Sequence, residues 1–408
     1  MSLLARLLRP RPQQASAIAT TREPGWILRS FGRGTRAGVR VDESTALSIT
    51  AVYACVRIIA GPIGQLPCEL LRRDGRKRVP AEDHPAYWML KRRPNPWMTA
   101  YRQRRLHVAH ELLWGNGYAA IVRNNRGQAI ELWPLLPERT RPRVVDGRLV
   151  YETIDDDGQL KVLPAEDVVH LSSISHDGII GLSRIALHRE ALGLAKVTEE
   201  FGASWFGQGS RSGGLLQLPG EVSEAARRKI EEQWAALESG LDGAHKVRLL
   251  PAGATYTPLS IPPEDAQFLQ TREFQIAEIA RMYGVPLHML ESHQKSTSWG
   301  SGIEQMSLGF VRYTLADHIE GYEQELENKL LTEEERKKYT IKFNLNSLLR
   351  GDAKARAEFY GLGLRDHWLT VEEVRELEDL GPMDDGDLKD RPRGIPPPKP
   401  ARDEEDEE

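Results

Sequence analysis

The stretch Glu264–Leu331 decides the reading of this chain: EDAQFLQTREFQIAEIARMYGVPLHML, then ESHQKSTSWGSG, then IEQMSLGFVRYTLADHIEGYEQELENKLL. The first part has a helical period and stops at Gly284-Val285-Pro286, because glycine ends a helix and proline cannot continue one. The third part, from Ile303 to about Leu331, has no internal proline. At 1.5 Å per residue it would span roughly 40 Å. Between them, Glu291–Gly302 is polar and rich in Gly and Ser. A loop set between two strong helices is presented to something, and the identity of that partner is the functional question.

Outward from this stretch, the chain reads as an α+β protein. Its 408 residues suffice for two or three domains, and 40% hydrophobic residues supply a core. The net charge of −4 conceals an asymmetry. The first forty residues hold eight arginines against one acid, Glu23, whereas Asp403–Glu408 are all acidic. Residues 1–43 show no apolar period and read as a basic arm. Their composition is like that of an organelle transit peptide, but Pro10 and Pro12 interrupt the amphipathic helix such a peptide needs. No window approaches the ~18 apolar residues of a membrane span. Cys55 and Cys68 lie in apolar contexts and read as buried free thiols.

From Leu47, Val52, Val56 and Ile59 fall on one helical face, with Gly61-Pro62 predicted to end the helix. CELLRRDGRKRV reads as a hairpin around Asp74-Gly75. A short helix over His84–Lys91 and another over 99–115 precede a β-rich block with turns at Asn-Arg-Gly, Asp146-Gly147 and Asp157-Gly158. From Ser183, Leu187, Ala191, Leu194, Thr198, Phe201 and Trp205 form a narrow apolar stripe suited to packing beside another helix. A β-α-β insert follows, over about 210–262. Ser223 is its helix N-cap, Ala226, Ile230, Trp234 and Leu237 form the inner face, and Gly240 is the stop. Pro263 suits the first turn of the next helix. A strand (TIKFNLN), two short helices and an acidic, Pro-rich tail from Pro382 complete the chain.

The search for catalytic machinery returns little. There is no P-loop, no G-x-S-x-G elbow, and GRGTRAG at 32–38 follows no strand. The strongest enzymatic pattern is His107, His110 and Glu111, which suggests a metal-dependent hydrolase, but the order is H-V-A-H-E and not the zincin H-E-x-x-H. Asp155–Asp157 lack the EF-hand alternation and read as a turn. In the loop, Lys295 offers charge, Ser296, Thr297 and Ser298 weak phosphate contacts, and Trp299 a stacking surface, a set suited to a polyanion. A third alternative is a monomeric nucleic-acid-binding adaptor that uses the basic arm.

Several motifs, taken in order, resemble one family. They are the opening helix Leu47–Val56, Asn95-Pro96, Gly115–Ala119, Gly181-Leu182-Ser183, Ile279–Pro286, Leu348–Asp352 and Leu369–Arg375. In this order the chain resembles the compact portal proteins, or head–tail connectors, of tailed bacteriophages. The resemblance implies a wing over 44–183, stem helices over 184–209 and 263–284, and a clip over 210–262. It further implies a tunnel loop and long helix over 285–339 and a crown over 340–385, between the arm 1–43 and the tail 386–408. It implies a ring of twelve copies at the unique capsid vertex, without cofactor, metal or membrane, through which double-stranded DNA enters and leaves.

Implied partners are the large terminase subunit, major capsid or scaffold protein, and a head-completion or tail adaptor, with assembly in the host cytoplasm. Gln294, Lys295, Ser296, Thr297, Ser298 and Trp299 would face the channel. Arg228, Lys229 and Trp234 of the clip would lie near the motor or adaptor. One departure stands out. Many relatives carry a proline near the middle of the long helix, where this chain has Thr314-Leu315-Ala316-Asp317. The helix is therefore expected to be straighter, or bent by contacts alone.

Overall fold

The structure, a computed structural model, describes residues 34–75, 77–207, 214–217, 223–225, 227–229, 232, 255–258, 265–290, 301–345, 353–378 and 380–381. The contacts divide the chain into two units, up to Asn344 and from Leu345 onward.

The first unit opens with a short helix α1 (Glu43–Ala46), closed by a reciprocal cap between Asp42 and Thr45, and then α2 (Thr50–Gln65). The face Val52, Cys55, Val56, Ile59 and Ile63 is buried, as its three-and-four spacing requires. Contrary to the sequence expectation, Gly61-Pro62 does not end this helix. Pro62 forfeits one backbone bond, but Leu66 N–H donates to the Pro62 carbonyl at 3.0 Å and Ile63 and Gly64 are buried. Burial of the last turn outweighs the cost of an internal proline, about 3 kcal/mol. Strands β1 (Cys68–Asp74) and β2 (Lys77–Pro80) form the expected hairpin, with Asp74 opposite Lys77. Helix α3 (Pro85–Lys91) starts at Pro85, and the His84 side chain accepts from Ala86 N–H.

Helix α4 (Ala100–Trp114) is capped by Thr99 and ends on Gly115 at φ +76°. A Cβ at that glycine would lie 2.4 Å from the Leu182 carbonyl oxygen, so glycine is required twice over. Strand β3 (Asn116–Arg123) is central in a sheet of order β4-β3-β8, with β4 (Ala129–Leu135) and β8 (Val168–Ser172). Strands β5 (Thr140–Val145), β6 (Arg148–Ile154) and β7 (Leu160–Pro164) form a second antiparallel sheet. Asp146 and Gly147 both take positive φ in the β5–β6 turn, as a two-residue hairpin demands. Tyr118, Ala120 and Leu135 of one sheet, Tyr151 and Leu163 of the other, and Val168 pack into one core.

Helices α5 (Arg184–Leu187) and α6 (Arg189–Gly207) leave this domain. In the insert, β9 (Gly214–Gln217) and β10 (Thr255–Pro258) pair antiparallel. The long elements α7 (Asp265–Tyr283), α8 (Ser301–Phe310) and α9 (Ala316–Leu330) follow. After α10 (Glu333–Arg336), β11 (Tyr339–Phe343) returns to pair with β1, completing the sheet β11-β1-β2. Two glutamates one turn apart on α9 secure that strand. Glu323 accepts from Phe343 N–H and Glu327 from Ile341 N–H, both at 2.7 Å.

The second unit contains α11 (Ala353–Arg365) and α12 (Val371–Leu377), the two short helices expected from the sequence. Thr370 and Glu373 form a capping box, Phe359 packs edge-on against Trp368, and Glu378 accepts from Tyr360 and pairs with Arg356.

Candidate functional site

The region of interest is built by α6, α7 and the long helical run that follows. Helices α6 and α7 pack on each other: Leu192 and Ala195 are buried on one, Ile279, Ala280 and Tyr283 on the other, and Gln275 donates to Thr198 at 3.1 Å. The stripe read from the sequence proves to be two-sided. Its members Leu187, Leu194 and Phe201 stand 49%, 51% and 47% exposed, on the face away from the buried residues Ile185, Leu192 and Ala195. Leu194 and Phe201 sit seven residues apart in one row along α6, and Leu187, seven residues earlier, ends α5.

Helix α7 ends at Gly284, in the left-handed region at φ +67°, and Val285 N–H donates back to the Ala280 carbonyl at 2.9 Å. Leu287–Leu290 form one 3-10 turn. The loop residues Gln294, Lys295, Ser296, Thr297, Ser298 and Trp299 lie outside the described residues, as do Trp234 and Pro263. The long helix resumes at Ser301. It is interrupted by a π-helical turn over Val311–Leu315, so the run is α8, π-turn, α9. The irregularity falls at Thr314-Leu315, where relatives are expected to carry proline. Here a widened turn takes that place. Thr314 Oγ1 donates to the Gly284 carbonyl at 2.7 Å, and a Cβ on Gly284 would come within 3.2 Å of that hydroxyl. The bond pins the two ends of the excursion 285–313 to each other.

A buried polar junction joins this assembly to the β-rich domain. Glu111 on α4 takes Arg184 Nη1 at 2.8 Å on Oε1 and His318 Nδ1 at 3.3 Å on Oε2. Burial would raise the Glu111 carboxyl. The contact with His318 and the Arg184 charge together reverse that and hold it below the usual carboxylate range. One side chain thus ties α4 to the start of the paired helices and to the helix that carries the loop.

The three residues of the metal pattern are spent on separate tasks. His107 Nδ1 lies 2.9 Å from Tyr322 OH, His110 packs edge-on against Trp114, and Glu111 serves the junction. Burial pushes both histidines down to about 4. Among the described residues no group of three or more His, Cys, Asp or Glu side chains is arranged to hold a metal ion. Asp155 closes a turn, accepting from Asp157 and Gln159 N–H. Cys55 and Cys68 are free and buried, and burial raises both thiols to about 12. Arg228 and Lys229 are exposed on the described part of the insert helix, where Arg228 pairs with Glu224 at 3.6 Å.

A further residue had no signal in the sequence. Buried Arg104 donates to the Leu90, Gly64 and Leu66 carbonyls at 2.8, 2.9 and 3.0 Å, serving the C-terminal ends of α2 and α3 at once.

Paired helices with an outward apolar row, beside a pinned excursion, define a protein that presents surfaces to other macromolecules. The comparisons agree. A family model described as phage portal protein matches residues 50–379. A probable portal protein of Streptomyces phage phiC31 is 34% identical over 370 residues, which cover 88% of this chain and 80% of that relative. An HK97-family phage portal protein from Corynebacterium diphtheriae shares the fold with a TM-score of 0.57, at 15% identity over 78% of this chain and 99% of that one. A chain in the neck of a native GTA particle, computed with C12 symmetry, does so at 0.52, with 19% identity over 88% of this chain and 98% of that one. This chain belongs to the phage portal protein family.

Proposed function

We propose that twelve copies of this chain close into a ring at one capsid vertex and conduct double-stranded DNA during packaging and ejection. The observation that carries the ring is the set Leu187, Leu194 and Phe201, exposed at seven-residue intervals on α5 and α6, whose other side is already packed. A helix covered on one face and apolar on the opposite one suits a neighbouring subunit in a head-to-tail contact, and such contacts close into rings when the rotation permits. The C12 symmetry of the related neck particle supports the number twelve.

In this reading the β-rich domain is the wing, α6 and α7 the stem, the β9–β10 insert the clip, α8 to α9 the loop-bearing helix, and α11 with α12 the crown. The protein acts as a conduit and not as an enzyme, and a separate ATPase drives the DNA. Arg228 and Lys229, with Trp234, face the packaging motor or the tail adaptor. Lys295 and Trp299, with Gln294, Ser296, Thr297 and Ser298, contact the moving DNA. Native mass with negative-stain images of the same peak tests the ring: closed rings with a central hole are expected, and a clean monomer at every concentration would count against it. DNA packaging by a Lys295→Ala/Trp299→Ala variant tests the channel contacts, and an undiminished yield would exclude them.

A further inference from the structure

The β1–β2 hairpin carries Arg72-Arg73-Asp74-Gly75-Arg76-Lys77-Arg78, a run that neither the stem nor the loop reading uses. The register sets Arg73 directly opposite Arg78. Directly opposed residues of an antiparallel pair share a face with Cβ atoms about 5 Å apart, and like charges there are destabilising. A single acid at either position would remove that penalty. Arg73, Lys77 and Arg78 are all exposed, and so is Lys338, whose carbonyl accepts from Arg73 N–H at 2.8 Å.

The acids of the surrounding elements do not neutralise this set. Asp83 pairs with Arg72, Glu334 with Lys337, and Glu335 with Thr332 and His84. Asp74 stands opposite Lys77. Among the described residues, Arg73, Arg78 and Lys338 have no carboxylate within ion-pair reach. Protecting the edge strand β2 does not require this arrangement. Lys77 and the terminal Pro80 already blunt that edge, and neither needs two arginines face to face.

We infer that this hairpin is a binding site for the phosphodiester backbone of duplex DNA, with Arg73 and Arg78 as the principal contacts and Lys77 and Lys338 beside them. Planar guanidinium groups take phosphate oxygens two at a time, and side by side they straddle one phosphate or hold two in succession. The chemistry separates this ligand from an acidic protein. Protein interfaces centre on buried aromatic or aliphatic anchors, and the described residues from Arg72 to Arg78 offer none. The site lies far in sequence from the loop 291–302 and does not depend on that loop facing DNA.

The test is fluorescence anisotropy of a random-sequence 30-bp duplex with the full chain, at several salt concentrations. Arg73→Glu/Arg78→Glu is expected to weaken binding about tenfold or more at low salt and to lower the slope of log affinity against log salt by about two, one per lost phosphate contact. Arg126→Glu/Arg141→Glu carries the same change in net charge at other exposed positions and is expected to leave that slope unchanged. Unchanged affinity and slope in the hairpin variant overturn the inference. So does an equal fall in the control pair, which would mean that only net charge is read. Binding of a DEEDEE peptide that the hairpin variant loses, with duplex binding intact, would reassign the site to an acidic protein segment.

Discussion

Arg104 shows how much one buried side chain can hold. Its guanidinium satisfies three carbonyls that end two helices, and it lies over the Phe343 ring at 5.9 Å. Arg104→Met leaves those acceptors buried and unpaired, so a loss of roughly 3 kcal/mol or more is expected in urea unfolding. Arg104→Lys recovers only part of this, because one ammonium cannot reach all three. The buried histidines make a second case. Burial holds His107 and His110 near 4 and His170 near 3, well below the free value of about 6.5. His170 lies between Tyr151 OH and Asn116 Oδ1 at 3.1 and 3.0 Å, so both ring nitrogens have partners in the buried ring. As pH falls below about 6.5, the unfolded chain takes up protons that the folded chain refuses. Stability therefore drops by up to about 1.4 kcal/mol per pH unit for each histidine, until the folded groups titrate, His107 and His110 near 4 and His170 near 3. Melting temperature measured from pH 7.5 to 5 is expected to fall, and His170→Gln should flatten the slope by about one proton. An unchanged slope would show that His170 titrates normally.

Among the elements, the long helix is held by particular bonds. Thr314 sits inside the π-turn, and its hydroxyl closes the excursion 285–313 onto Gly284. Removing that exposed bond with Thr314→Val costs about 1 kcal/mol locally. Tryptic cutting within 285–313 is expected to speed up about fivefold while cutting elsewhere stays the same, and equal rates would show that the pin carries no energy. The strand β11 is fastened by Glu323 and Glu327, whose side chains accept the N–H groups that a further strand would otherwise take. Apolar periodicity alone places both glutamates on a helix and gives no reason for Glu323 to be buried. The reason appears only once β11 lies beside them.

For the whole molecule, the proposed ring contact uses a set of side chains that the isolated chain leaves in water. Leu187→Asp/Leu194→Asp/Phe201→Asp adds charge only at exposed positions. The fold should survive with an unchanged far-UV spectrum, while native mass shifts from rings to monomers. Rings that persist at the same concentration would place the subunit contact elsewhere. The second unit, with its own cap at Thr370 and its own ring contact at Phe359–Trp368, is expected to keep its helices whatever the assembly state.

The order of elements was legible in the sequence because local rules set it. Asp146-Gly147 favours a two-residue hairpin, Gly115 and Gly284 stop helices through positive φ, and the turn residues between Asn116 and Ser172 divide that block into strands. Local rules failed at Pro62, where packing outweighed the proline, and at Thr314, where no breaker residue announces the π-turn. The roles of His107 and Glu111 were beyond any spacing argument, since Tyr322, Arg184 and His318 lie far away along the chain, whereas Trp114 stands only one helical turn from His110. Short-range preferences and residue order made most of the elements, and the family, legible in the chain. The tertiary structure alone decided which polar groups are buried together, which face of α6 stays exposed and which arginines oppose each other, because those follow from contacts between residues that the sequence keeps apart.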